Sequence, residues 1–193
     1  MRNDRLVVTL IAVALIASGA SARAATHAPA GGANQKPSLQ GCLNAWLFNG
    51  IWRMRATGVE PIEDFGTKGL GVAVEVRNGT HQPLQIGQSG IDGQGAGIEL
   101  VGADGTALNV DAGAYQTQLG YKSVVQAGTV KTILRFHFQN AADAATFKPV
   151  KLIVQFDRKN VHVPGVRYNT PNPSLRIDLT CGGHKTPEPA ASP

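Results

Sequence analysis

Residues 70–78, Leu-Gly-Val-Ala-Val-Glu-Val-Arg-Asn, alternate with a period of two. In an extended chain Leu70, Val72, Val74 and Val76 point one way, and Gly71, Ala73, Glu75 and Arg77 the other. β-Branched side chains are stiff at χ1 and pack well on a pleated surface. The pattern therefore predicts a strand with one face on a core and the other toward solvent. Val74 is expected inside and Glu75 outside. Asn78-Gly79-Thr80 closes the strand, because Asn and Gly accept positive φ. A strand of this kind is stable only against a second layer, which the other apolar runs must supply.

Those runs are short. Residues 51–59 alternate, with Trp52, Met54 and Ala56 on one face and Arg53, Arg55 and Thr57 on the other. Glu60-Pro61 is expected to end that strand, since Pro cannot continue an interior one, and residues 62–69 read as a polar loop. A short piece at 83–86 precedes the glycine-rich stretch 87–97. Residues 98–101 and 106–110 read as a hairpin around Asp104-Gly105. Residues 115–125 are ambiguous and suggest an irregular edge. Residues 129–138 alternate, with Val130, Thr132, Leu134, Phe136 and Phe138 opposite Lys131, Ile133, Arg135 and His137. Residues 140–146 suggest one helical turn capped by Asn140. Strands at 150–156 and 175–179 complete the set. No long 3.6-residue apolar period lies beyond the N-terminal segment, and no repeat of 20–50 residues is evident. The expected fold is all-β, an immunoglobulin-like antiparallel β-sandwich of about 7–8 strands.

The ends of the chain read differently. Arg2 and Arg5 precede an apolar run over residues 6–17, and Ala20-Ser21-Ala22 and Ala22-Arg23-Ala24 fit a small-residue cleavage site. Residues 1–24 thus read as a signal peptide; as a membrane anchor the run is short of the roughly 20 residues a span needs. Cys42 lies too far beyond that run to be a lipidation site. Residues 25–40 read as a flexible leader, 41–182 as one β-sandwich domain and 183–193 as a Pro-rich disordered tail. Loss of residues 1–24 removes Arg2, Arg5, Arg23 and Asp4 from a chain of formal charge +5. The remainder is mildly basic, gives no indication of a nucleic-acid partner and keeps no stable membrane span. Cys42 and Cys181 bracket the domain, and an exported chain meets an oxidising compartment, so a disulfide between them is expected. A secreted or periplasmic bacterial location follows.

A Trp-bearing first strand (residues 51–59) precedes the strand ending Val76-Arg77-Asn78. An Asp104-Gly105 hairpin, a Gln126-Ala127-Gly128 step and Leu134-Arg135-Phe136 follow in order. This order, over residues 50–157, resembles the bacterial exported immunoglobulin-like domains related to the mycobacterial immunoprotective secreted antigen. The resemblance implies an exported or surface-associated β-sandwich. That family supplies no activity and no functional residues.

The candidates for chemistry are few. The stretch 87–97 has the glycines of a phosphate loop, but it runs into a strand pattern and lacks the Lys such loops use, so a mobile inter-strand loop is expected. Gly87-Gln88-Ser89-Gly90 falls short of a nucleophile elbow. His27, His81, His137, His162 and His184 show no ligand spacing, and zinc or copper would need distant residues to converge. Glu60, Glu63 and Asp64 could form an acid/base pair but read as a solvated acidic loop. Asn78-Gly79-Thr80 matches a glycosylation sequon and reads as a turn. One patch remains: Arg53 and Arg55, with Arg135 and His137, occupy the polar faces of two strands and would form a basic stripe if those strands share a sheet. The sequence thus implies no catalytic residue, metal or cofactor. The expected function is an envelope or extracellular binding module, not an enzyme, with an unknown envelope protein or acidic surface component as partner. The alternative is an enzyme or metal-handling protein whose residues converge only in three dimensions.

Overall fold

The computed structural model describes residues 37–182. The expected signal peptide, the leader up to residue 36, the tail from residue 183, His27 and His184 lie outside the described residues. In chain order the strands are β1 (Leu39–Cys42), β2 (Leu47–Phe48), β3 (Trp52–Asp64), β4 (Thr67–Asn78), β5 (Leu84–Gln85) and β6 (Ile98–Gly102). They continue with β7 (Ala107–Asn109), β8 (Ser123–Val124), β9 (Thr129–His137), β10 (Pro149–Val154) and β11 (Leu175–Asp178). One sheet has the order β1-β11-β10-β6-β7, a second β2-β3-β4-β9, and β5 and β8 form a small ribbon. The fold is an all-β sandwich. All pairings between named strands are antiparallel except β1 on β11.

The alternation read from the sequence sets the two inner faces. Trp52, Met54 and Ala56 of β3, Val72, Val74 and Val76 of β4, and Leu134 and Phe136 of β9 are buried. They meet Ile98 and Leu100 of β6, Leu152 and Val154 of β10, and Leu175 and Ile177 of β11. Each large side chain withdrawn from water in this way contributes about 1.5–3 kcal/mol. Cys42 and Cys181 are bonded, as expected.

Several expectations are corrected. There are more strands than expected, because β1, β2 and β8 are too short to show a period; β1 also draws Leu39 and Gln40 out of the expected leader. Pro61 does not end its strand. It pairs with Leu70 in a hairpin that continues to Asp64 and Thr67, so the loop expected at 62–69 is mostly strand. Pro61 is tolerated because β2 accompanies β3 only at Arg53 and Met54, leaving that edge of β3 without a neighbouring strand.

The glycine-rich stretch is an inter-strand loop, as expected, but part of it packs on the core, while Gln88, Asp92, Gln94 and Ala96 are exposed. Ser89, Gly90 and Ile91 are buried, and a Cβ on Gly90 would lie 1.7 Å from the Tyr168 hydroxyl oxygen. The irregular edge expected near 115–125 is a helical segment, Ala112–Tyr115 running into Gln116–Gly120, with Tyr115 and Leu119 in the core. The turn near 140–146 is a helix at Asp143–Thr146 in which Asn140 is not the cap.

Candidate functional site

One inserted residue decides which side chains share the outer face of the β2-β3-β4-β9 sheet. Between Ala56 and Gly58 the register of β3 on β4 shifts by a bulge at Thr57. Before it, even-numbered residues such as Met54 and Ala56 face the core. After it, Glu60, Ile62 and Asp64 lie opposite Gly71, Gly69 and Thr67 on the outer face. On β9 the regular alternation places Arg135 and His137 outward, opposite the same Gly71 and Gly69. Neither glycine has a side chain to stand between β3 and β9, so Asp64 reaches across β4.

The result is a four-residue cluster. Arg135 Nη1 donates to both Asp64 oxygens at 2.5 Å. His137 Nε2 lies 3.0 Å from Asp64 Oδ2, and Nδ1 lies 3.4 Å from Asp111 Oδ2. Asp111 arrives from the segment after β7. Its backbone N–H donates to the Arg135 carbonyl at 2.7 Å, and its Oδ1 caps the following helical turn by accepting from Ala114 N–H at 2.7 Å. The Arg135 guanidinium, with His137 second, holds the Asp64 carboxyl below its ordinary pKa, and Asp64 in turn raises that of Arg135.

Beside this cluster the β3–β4 hairpin ends in Phe65-Gly66. Both residues have positive φ, +50° and +82°, the type I′ geometry of a two-residue hairpin loop. Phe65 is fully exposed, at 109% relative accessibility. A bulky side chain in the left-handed region is unusual, because Asn or Gly fills that position at lower cost. Phe65, Asp64, Arg135, His137 and Asp111 border one shallow hollow.

Arg53 and Arg55 stand at the other end of the same face. Glu75 separates from Gly71 by four residues of β4, about 13 Å along the strand. The Arg55 guanidinium sits 4.7 Å from the centre of a Trp46 ring, and its Nη2 donates to Glu75 at 2.9 Å. Lys131 reaches the same carboxylate at 3.2 Å. Burial opposes ionisation of Glu75, but these two cations outweigh it and lower its pKa. Arg53 lies 4.5 Å from the centre of the Phe48 ring. The four candidates thus share one sheet face but form two groups, and carboxylates face Arg55, Arg135 and His137.

The remaining candidates are occupied otherwise. The Ser89 hydroxyl is buried, donates to the Gln85 carbonyl at 2.7 Å and accepts from Trp52 Nε1 at 2.8 Å. The Asn78 side chain is also buried. It donates to the Gln82 and Val124 carbonyls and accepts from Thr80, which leaves no free amide for a glycan. Glu60 and Glu63 alternate sides after the bulge, so only Glu60 joins Asp64 on the outer face. His81 lines a separate hollow with Arg167, and the His162 backbone bonds to Gln88. Among the described residues no three His, Cys, Asp or Glu side chains are grouped to hold a metal ion. Sequence reading missed Asp111 and Phe65. A Gly58 inside an alternating run was a signal for the bulge, and Phe65-Gly66 between two such runs was a signal for the turn.

No known protein family matches the sequence, and no curated protein does. Two solved structures are similar. The yjhA protein of Bacillus subtilis is 10% identical, with a TM-score of 0.46 over 72% of this chain and 99% of that one. An uncharacterised β-sandwich protein of Clostridium difficile 630 is 11% identical, with a TM-score of 0.43 over 77% and 99%. Neither comparison links the chain to the mycobacterial antigen family.

Proposed function

We propose that this domain is an exported binding module, active in the bacterial envelope or medium, and that the tip of the β3–β4 hairpin is its contact point. Kinship with the exported immunoglobulin-like family named above and secretion through residues 1–24 belong to the same proposal. The cross-link between Cys42 and Cys181 supports the oxidising location. The observation behind the binding role is Phe65: a fully exposed aromatic ring in a left-handed backbone conformation, held beside a clamp of Asp64, Arg135 and His137. An exposed aromatic on a rigid support suits insertion into a partner's pocket, where such residues dominate binding energy. The folded state gains nothing evident from the ring and bears a conformational cost at that position.

Phe65→Asn tests this, because stability and binding should move in opposite directions. Asn-Gly is the preferred type I′ pair, so the variant should be about 0.5–1 kcal/mol more stable by thermal melting. It should also lose the envelope component that wild type retains from an extract. Equal retention by both proteins would remove the tip from consideration.

A second reading rests on the convergence of Asp64, Asp111, Arg135 and His137. Carboxylates beside both ring nitrogens of a histidine form an arrangement suited to acid/base chemistry. Under this reading the purified domain would turn over a small substrate, and His137→Gln would abolish turnover while the melting temperature stayed near wild type. A screen without reproducible turnover leaves the binding module as the preferred account.

A further inference from the structure

At the end of the sheet face remote from Phe65, Arg53 of β3 and Arg77 of β4 are direct cross-strand partners, and both are exposed. Like charges placed opposite one another in a sheet are destabilising. Among the described residues neither guanidinium has a carboxylate partner; the ion pairs of this end all converge on Glu75 one row away. We infer that the Arg53–Arg77 pair is a binding site for the phosphate groups of a linear anionic polymer.

Three features support the inference independently of the hairpin tip. Both side chains are fixed without being neutralised. Arg53 lies against the Phe48 ring, and Arg77 Nε donates to the Ala127 carbonyl at 3.0 Å. A guanidinium laid on a ring keeps its in-plane N–H groups available, and paired forks of this type match the oxygens of a phosphate. The charge also extends in a band. The adjacent row holds Arg55 and Lys131 around one Glu75, so four cations stand against a single carboxylate. Consecutive outward rows are about 7 Å apart, which presents successive positive positions to a chain rather than to one isolated ion. Finally, the guanidiniums of Arg53 and Arg55 lie against the Phe48 and Trp46 rings. Phe48 is half-buried beneath Arg53, so the row of the Arg53–Arg77 pair presents no free ring for insertion into a bilayer, which favours a polymer over a lipid surface; Trp46, 40% exposed, stands on the next row beside Arg55.

The test is calorimetric titration of the disulfide-bonded protein with short-chain sodium polyphosphate at low salt, with orthophosphate and phosphatidylglycerol vesicles as parallel probes. Wild type should bind polyphosphate saturably and much more tightly than orthophosphate, since a chain engages both rows. Added salt should weaken it. Arg53→Gln with Arg77→Gln should weaken binding by at least about tenfold, as expected for the loss of charge-assisted bonds, with a melting temperature equal to or above wild type because the like-charge pair is gone. Lys159→Gln with Arg176→Gln, an equal charge change at exposed positions outside this sheet, should stay within about twofold of wild type. Absence of polyphosphate binding, an equal loss in both double variants, or binding to the vesicles without binding to polyphosphate would each overturn the inference.

Discussion

Val74 and Glu75 are adjacent, yet one is in the core and the other on the outer face, and the difference sets what each can become. Val74 is 1% exposed, so Val74→Asp would place a carboxylate in the core with no partner. A buried unpaired charge costs more than a marginally stable domain can absorb, and the variant should fail to fold. Glu75 points outward, but only 13% of its side chain is exposed, because Arg55 and Lys131 close over it. Position 75 is therefore a charge anchor rather than a free solvent site. Glu75→Lys would gather three cations without a counter-charge, at a cost of about 1–2 kcal/mol. Thermal melting separates the two outcomes; a cost near zero at position 75 would show that the cluster does not act as a unit. Facing was legible from the sequence here, because period-two alternation reports it directly. The ion pairs were not, since alternation is silent about which residue lies opposite on the next strand.

Between elements, the chief determinant is the bulge at Thr57. Alternation extrapolated from Trp52 would send Asp64 to the core side and away from Arg135 and His137. The inserted residue inverts that parity and creates the cluster. The four residues come from β3, β9 and the segment after β7, separated by up to 73 positions, and a local pattern cannot report such pairing. The strands at 98–101, 106–110 and 129–138 were legible because alternation and an Asp-Gly turn are local signals. Pro61 misled the reading because a proline forbids a central strand but permits an edge, and the edge status of β3 is a property of the sheet. Since Asp64 joins β3 to β9, its protonation should loosen that join. Its folded pKa lies below the unfolded value of about 4. Its contribution is therefore complete above that value and is lost as pH falls through the folded pKa. Melting temperature should be flat from neutral pH to about 5 and decline below about 4. Asp64→Asn should melt lower at neutral pH and decline less steeply in acid. Parallel curves would exclude the clamp as the source of the acid sensitivity and leave Glu75, Asp104 and Asp178, shifted in the same direction, as its origins.

For the molecule as a whole, the cross-link between Cys42 and Cys181 closes a loop with a sequence separation of 139. On the chain-entropy account, a loop of that size stabilises the fold by roughly 4–5 kcal/mol. Cys42→Ser with Cys181→Ser should lower the denaturation midpoint accordingly. This feature was the most legible of all, because two cysteines leave one pairing. It also has a mechanical consequence. A tensile load applied through the segments that flank the domain enters at Cys42 and leaves at Cys181 along covalent bonds. Apart from those that hold β1 on β11, the hydrogen bonds of both sheets lie outside that line of force, and only the residues before Cys42 and after Cys181 can be peeled away. Single-molecule stretching of the oxidised protein should therefore show no long extension step. After reduction the same pull should release about 470 Å of chain, at roughly 3.4 Å per residue. A protein held between two anchoring points would thus keep both sheets intact under strain, with thiol chemistry rather than force as the switch for releasing its length.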